Sequence, residues 1–277
     1  MKSDLSALAA VALWASLAAL GASLSHLPPL LITGIGLIVG SVIALPLSGF
    51  KFAALKTKPS TLLLGVYGLF GYHFALFAAL QLAPAVQANL VNYLWPLLIV
   101  VLAPMFIKTA KLKPKHVIAA VVGFVGAGLA ILSGQQLVGG FSAGYLYALI
   151  AAVIWATYSL GTKAVGNFKT AAIGSFGFVA GILALVTHFL VEPAASIDSI
   201  DWVWLVGLGL GPLGGAFYFW DYALKNGNAQ RVGLISFLTP LLSTAMLLIV
   251  TGQSLSYLLL VSAVLIFGAA FIGSRGE

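Results

Sequence analysis

Apolar runs of about twenty residues recur along the whole chain, and almost every charge falls between them. A helix needs about 20 mostly apolar residues to cross the hydrocarbon core of a bilayer, and in lipid such a run must satisfy its own backbone hydrogen bonds. The runs lie near 4 to 22, 30 to 49, 60 to 82, 86 to 107 and 115 to 133, then near 142 to 163, 170 to 190, 202 to 224, 230 to 250 and 255 to 273. They predict an all-α integral membrane protein, one membrane domain over 1–277 with ten transmembrane helices. Composition agrees. Charged residues make up 7% and hydrophobic ones 61%, whereas soluble domains carry about 25% charge.

The placement of the basic residues tests the number of spans. With loops assigned alternately to the two sides, Lys2, Lys51, Lys56, Lys58, Lys108, Lys111, Lys113, Lys115, Lys163, Lys169, Lys225, Arg231 and Arg275 fall together, which is all 13 Lys and Arg. His26, Glu192, Asp198 and Asp201 fall on the other side. Lys and Arg favour cytoplasmic loops, so both termini are expected in the cytoplasm. One span more or fewer would scatter the later charges over both sides. The net charge of +7 therefore reflects topology; no water-facing domain exists to carry a nucleic-acid surface. The first run is read as a retained helix rather than a cleaved signal, because removing it would destroy an internal repeat.

That repeat is visible in ordered matches. Ala9-Ala10-Val11-Ala12-Leu13-Trp14-Ala15-Ser16 parallels Ala151-Ala152-Val153-Ile154-Trp155-Ala156-Thr157. Ala79-Leu80 and Ala85 parallel Ala223-Leu224 and Ala229, Pro96-Leu97-Leu98 parallels Pro240-Leu241-Leu242, and Gly126-Ala127 parallels Gly268-Ala269. Repeat one covers about 1–136 and repeat two about 137–277. Five spans per copy is an odd number, so the second copy enters from the opposite side. Inverted five-helix repeats are a common build of secondary transporters, with the binding site near the midplane and access alternating as the repeats rock.

Polar and aromatic residues at membrane depth are the candidate site. Asn89, Asn92, Tyr93 and Pro96 form one stripe with Trp95 beside it, and the matching face in the second half is Gly233, Ser236, Phe237 and Pro240. The two prolines each remove a backbone donor and are candidate hinges, or else simple kinks among packing amides. His73, Phe77 and Gln81 share a face, as do Phe217, Asp221 and Lys225. His73 could meet a ligand, or bond to a neighbouring backbone carbonyl. Asp221 could couple transport to an ion, or pair with Lys225 one turn away. Trp155, Tyr158, Ser159 and Thr162 share a face of the sixth span, with Trp14 at the matching position of the first. Such aromatic faces suit planar apolar groups and cations.

Absences narrow the chemistry. The chain has no Cys, and no metal-ligand constellation or phosphate-binding Gly loop appears, so no cofactor, metal or enzymatic activity is expected. Mid-span carboxylates for multivalent cations, and mid-span Lys or Arg for phosphorylated cargo, are both missing. What remains is a neutral or zwitterionic small molecule with apolar or aromatic character.

The five-plus-five arrangement, the Ala-rich first helices with Trp14 and Trp155, and Pro96 and Pro240 resemble the EamA-type branch of the drug/metabolite transporters over the whole chain. Val91-Asn92-Tyr93-Leu94-Trp95-Pro96 and Ile154-Trp155-Ala156-Thr157-Tyr158 are similar to bacterial YddG-type aromatic amino acid exporters. The resemblance implies export of Phe, Tyr and Trp, often with other amino acids, across a bacterial inner membrane through a central cavity with Tyr93, Trp95 and Trp155 as its aromatics. Thr239 stands where the first half has Trp95, so the halves contribute unequally, and neither His73 nor Asp221 matches a family role. The expected partners are a neutral or aromatic amino acid and the lipid bilayer, with a monomer as the working unit. The rival readings are an exporter of other hydrophobic metabolites or drugs, and a non-transporting sensor or assembly protein.

Overall fold

The structure is a computed structural model that describes residues 2–133, 140–165, 168–251 and 256–274. Arg275 and the expected repeat boundary at 136 lie outside the described residues. The described residues with regular structure are all helical. Among the described residues, eight helices are long and apolar enough to cross a membrane: α1 Lys2–Ala22, α2 Pro29–Leu47, α3 Pro59–Leu82, α4 Ala85–Phe106, α5 Pro114–Leu132, α6 Gly144–Val165, α7 Thr170–Val191 and α8 Ser199–Asn226. The ninth expected span is a broken helix, α9, in two pieces, Ala229–Ser236 and Leu238–Thr251. The tenth is α10, Tyr257–Ser274.

Local signals set the helix starts. Proline opens α2, α3 and α5 at a position where its missing N–H costs nothing. The Asn228 side chain caps α9 by accepting from the Gln230 and Arg231 amides at 2.8 and 3.1 Å.

Several expected continuous spans are interrupted. In α1, the Ser16 hydroxyl turns back onto Leu13 O at 2.7 Å, a local bond that competes with the helix. α4 breaks at Tyr93 and Leu94, three residues ahead of Pro96, and α9 breaks at Phe237, three ahead of Pro240. In each case the proline cannot supply the amide that the preceding turn needs. α3 carries a π turn over Tyr67–Gly71, and α8 carries one over Gly211–Gly215. Both the breaks and the π turns recur at the offset that relates Pro96 to Pro240. At Gly214 a Cβ would strike Gly209 O and the Gly40 backbone, so glycine permits both the π turn and the close approach of α2.

Lipid offers no hydrophobic drive for helices to associate, so close contact falls to small residues and interhelical hydrogen bonds. α2 packs along α7, and α5 along α10. α3 and α4 pack on α6, while α8 and α9 pack on α1. The Ser262 hydroxyl on α10 donates to Gly126 O on α5 at 2.7 Å, and Gly233 of α9 lies against Pro96 O of α4.

Loop contacts divide into two ends. At the basic end Arg231 meets Asp4 at 3.1 Å, Lys225 donates to Phe168 O at 2.9 Å and Ser175 to Leu55 O at 2.7 Å. At the other end His26 meets Asp201 at 3.1 Å, while Glu192 accepts from the Leu30 amide at 3.0 Å and pairs with His188 at 2.9 Å. That carboxylate caps the N-terminus of α2 from the end of α7, where helix amides need an acceptor.

Candidate functional site

A cavity of about 320 Å³ lies between the α3–α4–α6 group and the α1–α8–α9 group. This is within the range of small-molecule sites, about 300–1,000 Å³. Its floor is aromatic because α1, α4 and α6 each bring one indole to its lining, with a fourth from α8 packed against them. Trp14 of α1 lies 5.6 Å from Trp155 of α6, 6.2 Å from Trp95 of α4 and 5.1 Å from Trp220 of α8, centroid to centroid. The first two pairs are edge-to-face, the arrangement that the ring quadrupoles favour. Phe217 adds a ring 5.7 Å from Trp155, and Tyr72 another at 5.0 Å.

Polar groups reach the same space from α3, α4 and α9. Asn89, Asn92, His73, Tyr72, Thr239 and Ser243 line it. Asn92 donates to the Tyr72 hydroxyl at 3.3 Å. Its Oδ1, and the Thr239 hydroxyl, are buried with no hydrogen-bond partner among the described residues. An unsatisfied buried polar atom costs about 1–3 kcal/mol, which a bound donor or acceptor would recover. His73 Nδ1 donates to Leu69 O at 2.6 Å, so the carbonyl fixes the ring tautomer while the ring edge borders the cavity.

The structure thus brings Trp14, His73, Asn89, Asn92, Tyr93, Trp95 and Trp155 around one space. Tyr158 stands behind Trp155 at 5.3 Å, on a bed that exists because residue 68 is glycine; a Cβ there would overlap the phenol ring. Phe237 does not reach the cavity. The backbone break turns it toward α5, where its ring fills the space over Gly123. Pro96 and Pro240 sit at the helix breaks, with Pro240 bordering a side space of about 270 Å³ that shares Asn89, Tyr93 and Ser243 with the main cavity. Asp221 lies below the floor, paired with Lys225 at 2.7 Å and accepting from Thr170 at 2.7 Å. Tyr72, Trp220 and the role of Thr239 escaped the sequence reading. Tyr72 adjoins His73, and Trp220 lies one turn from Phe217, so both were within reach of the same facial argument.

The cavity opens toward the acidic end, where Leu17, Leu80 and Ala85 form its upper wall. Toward the basic end it is shut. The Trp220 indole donates to the Ser159 hydroxyl at 3.0 Å, and Lys163 of α6 donates to Leu224 O at 2.6 Å and Gly227 O at 2.8 Å at the end of α8.

Comparison with known proteins agrees with this architecture. Residues 1–132 and 142–275 each match the EamA-like transporter family. A protein named aromatic amino acid exporter YddG, from Ancylobacter novellus, is 35% identical over 274 residues, covering 96% of this chain and 94% of its own length. Its namesake from Escherichia coli is 27% identical over 291 residues, covering 98% and 96%. A solved crystal structure with 33% sequence identity superposes with a TM-score of 0.90, covering 98% of this chain and 97% of that one. The chain is a multi-pass membrane protein and belongs to the EamA-like transporter family.

Proposed function

We propose that the protein exports aromatic and other neutral amino acids across a bacterial inner membrane by alternating access. The observation that carries this reading is the cavity itself, a space floored by indoles and bordered by the polar residues Asn89, Asn92, His73 and Thr239. The cargo side chain rests on Trp14, Trp95 and Trp155, where ring stacking contributes about 0.5–1.5 kcal/mol per pair beyond burial. Asn92 Oδ1 accepts from the ammonium, for which an amide oxygen can only be an acceptor, and the Thr239 hydroxyl, able to donate, serves the carboxylate. Asn89, Tyr93 and His73 complete the wall. Phe237 and Tyr158 support the packing around it, and Asp221 belongs to the closed end.

The mechanism is movement of the α3–α4–α6 group against the α1–α8–α9 group, with α4 and α9 flexing at Pro96 and Pro240. Ten spans in two inverted five-helix repeats, about 1–136 and 137–277 with both termini in the cytoplasm, give this movement its symmetry. The repeat is supported by the exchange of packing partners between the halves, by π turns and breaks at one offset, and by the separate family matches of the two halves. The separation of basic from acidic loops supports the orientation. The names and bacterial sources of the relatives support the cargo class and the membrane. The cavity lies inside one chain, which suits a monomeric transport unit.

The test is uptake of labelled phenylalanine and threonine into liposomes holding the purified protein, beside empty liposomes and Trp155→Ala. Saturable uptake by the wild type that the variant lowers about tenfold is the expected outcome. No protein-dependent uptake of either amino acid sinks the cargo assignment.

A further inference from the structure

Below the tryptophan floor, at the basic end, a second space of about 610 Å³ opens between the same two helix groups. Its walls are Ile107 and Lys108 after α4, Lys163 and Ala164 of α6, and Lys225 and Asn226 of α8. Three ammonium groups border one space, and they are not equivalent. Lys225 is held by Asp221 at 2.7 Å and lies 3.4 Å above the centre of the Phe168 ring. Lys108 is exposed. Lys163 is half-buried, and among the described residues its partners are the carbonyls of Leu224 and Gly227, with no carboxylate within ion-pair distance.

A lysine that only fixed topology would point to the headgroups. Lys163 instead crosses from α6 to α8, on the line between the cavity and the basic end. Carbonyls at a helix C-terminus suit a cation, yet they are neutral acceptors. A carboxylate makes bonds to an ammonium roughly twice as strong. An arriving carboxylate would therefore compete with the helix carbonyls for the ammonium and weaken the two Lys163 bonds that tie α6 to the end of α8, leaving the Trp220–Ser159 bond and the ring contacts of Trp155 with Phe217 and Trp220 between them.

Resting on the reading that the cargo is an amino acid and the basic end is cytoplasmic, we infer that this space is the receiving site for the cargo carboxylate. Lys163 is its ligand, Lys108 its outer attractor, and the exchange of carbonyls for carboxylate is the step that loosens the closed face.

Because the chain has no native Cys, Lys163→Cys can be modified selectively. Phenylalanine uptake is measured in inside-out vesicles, whose outer surface is the cytoplasmic face. The expected apparent KM rises about tenfold in Lys163→Cys. It returns after treatment with 2-aminoethyl methanethiosulfonate, which rebuilds a cation, and stays high after the methyl reagent. Excess phenylalanine slows the modification. Lys108→Cys, at an exposed position where packing is not at stake, follows the same charge rule with a rise of about threefold and carries the test if Lys163→Cys does not fold. Equal rescue by the methyl and aminoethyl adducts, or an unchanged KM in both variants, overturns the receiving site while the carrier reading stands. A wild type that moves no phenylalanine overturns the carrier reading, and this site with it.

Discussion

Asn92 and Thr239 border the aromatic cavity, and their side-chain oxygens are buried with no hydrogen-bond partner among the described residues. In the empty protein this is a stability cost, and at a binding site it is a reserve that a ligand draws on. Asn92→Leu, close in volume, removes the unpaired oxygen together with the bond to Tyr72, opposing effects that are expected to leave the melting temperature little changed, while the KM for phenylalanine uptake increases about tenfold. A variant that lost stability and kept its KM would place Asn92 in the packing alone. At this scale the sequence was legible where a residue's chemistry is expensive in lipid, as for Asn89, Asn92 and His73. It was less legible where only direction matters. Phe237 matches Tyr93 in the repeat, yet its ring points to α5 because Gly123 leaves a hollow there that no one-dimensional pattern records. Tyr72 was hidden by its neighbour, since adjacent helical residues point about 100° apart and a facial pattern through His73 does not include it, although both line the cavity beyond the π turn.

The helices themselves were readable because apolar length and Pro starts are local properties, and the expected limits agree with the observed ones to within a few residues. Their interruptions were only half readable. Prolines 96 and 240 announced a break, but the π turns in α3 and α8 follow from glycines and packing that sequence alone does not order. The broken turn before Pro96 is the natural place for α4 to bend. Pro96→Ala restores an amide donor to that turn, so it is expected to stiffen α4. Turnover should fall about tenfold with little change in KM, as for a variant in which movement rather than binding is slowed. A fall in affinity at constant turnover would argue that Pro96 shapes the cavity and is no hinge.

Seen whole, the molecule is closed at one end by Trp220–Ser159 and Lys163 and open at the other. The positions that match Ser159 and Lys163 through the Trp14–Trp155 alignment are Ala18 and Ala22, which have no side-chain group to form such bonds. On the proposed alternating-access reading, a resting preference for the state open to the acidic end is expected, since alanine at these positions cannot supply matching links at the opposite end. Spin labels on the pairs Ala22→Cys with Leu82→Cys, and Ala164→Cys with Asn226→Cys, report the two ends separately. Added phenylalanine is expected to shorten distances in the first pair and lengthen them in the second. Parallel shifts in both would exclude alternating access. Charge distribution made the two ends of the molecule legible in the sequence, but which end is closed depends on contacts between distant helices and was not.

The paired π turns bear on descent as well as on shape. Such a turn holds one residue more than the α-helix it interrupts, and everything beyond it is rotated, so losing that residue would turn the lining of the cavity away from its contents. On the proposed duplication, the extra residue sits at the same place in both halves. One insertion, made before the ancestral half was copied, accounts for both.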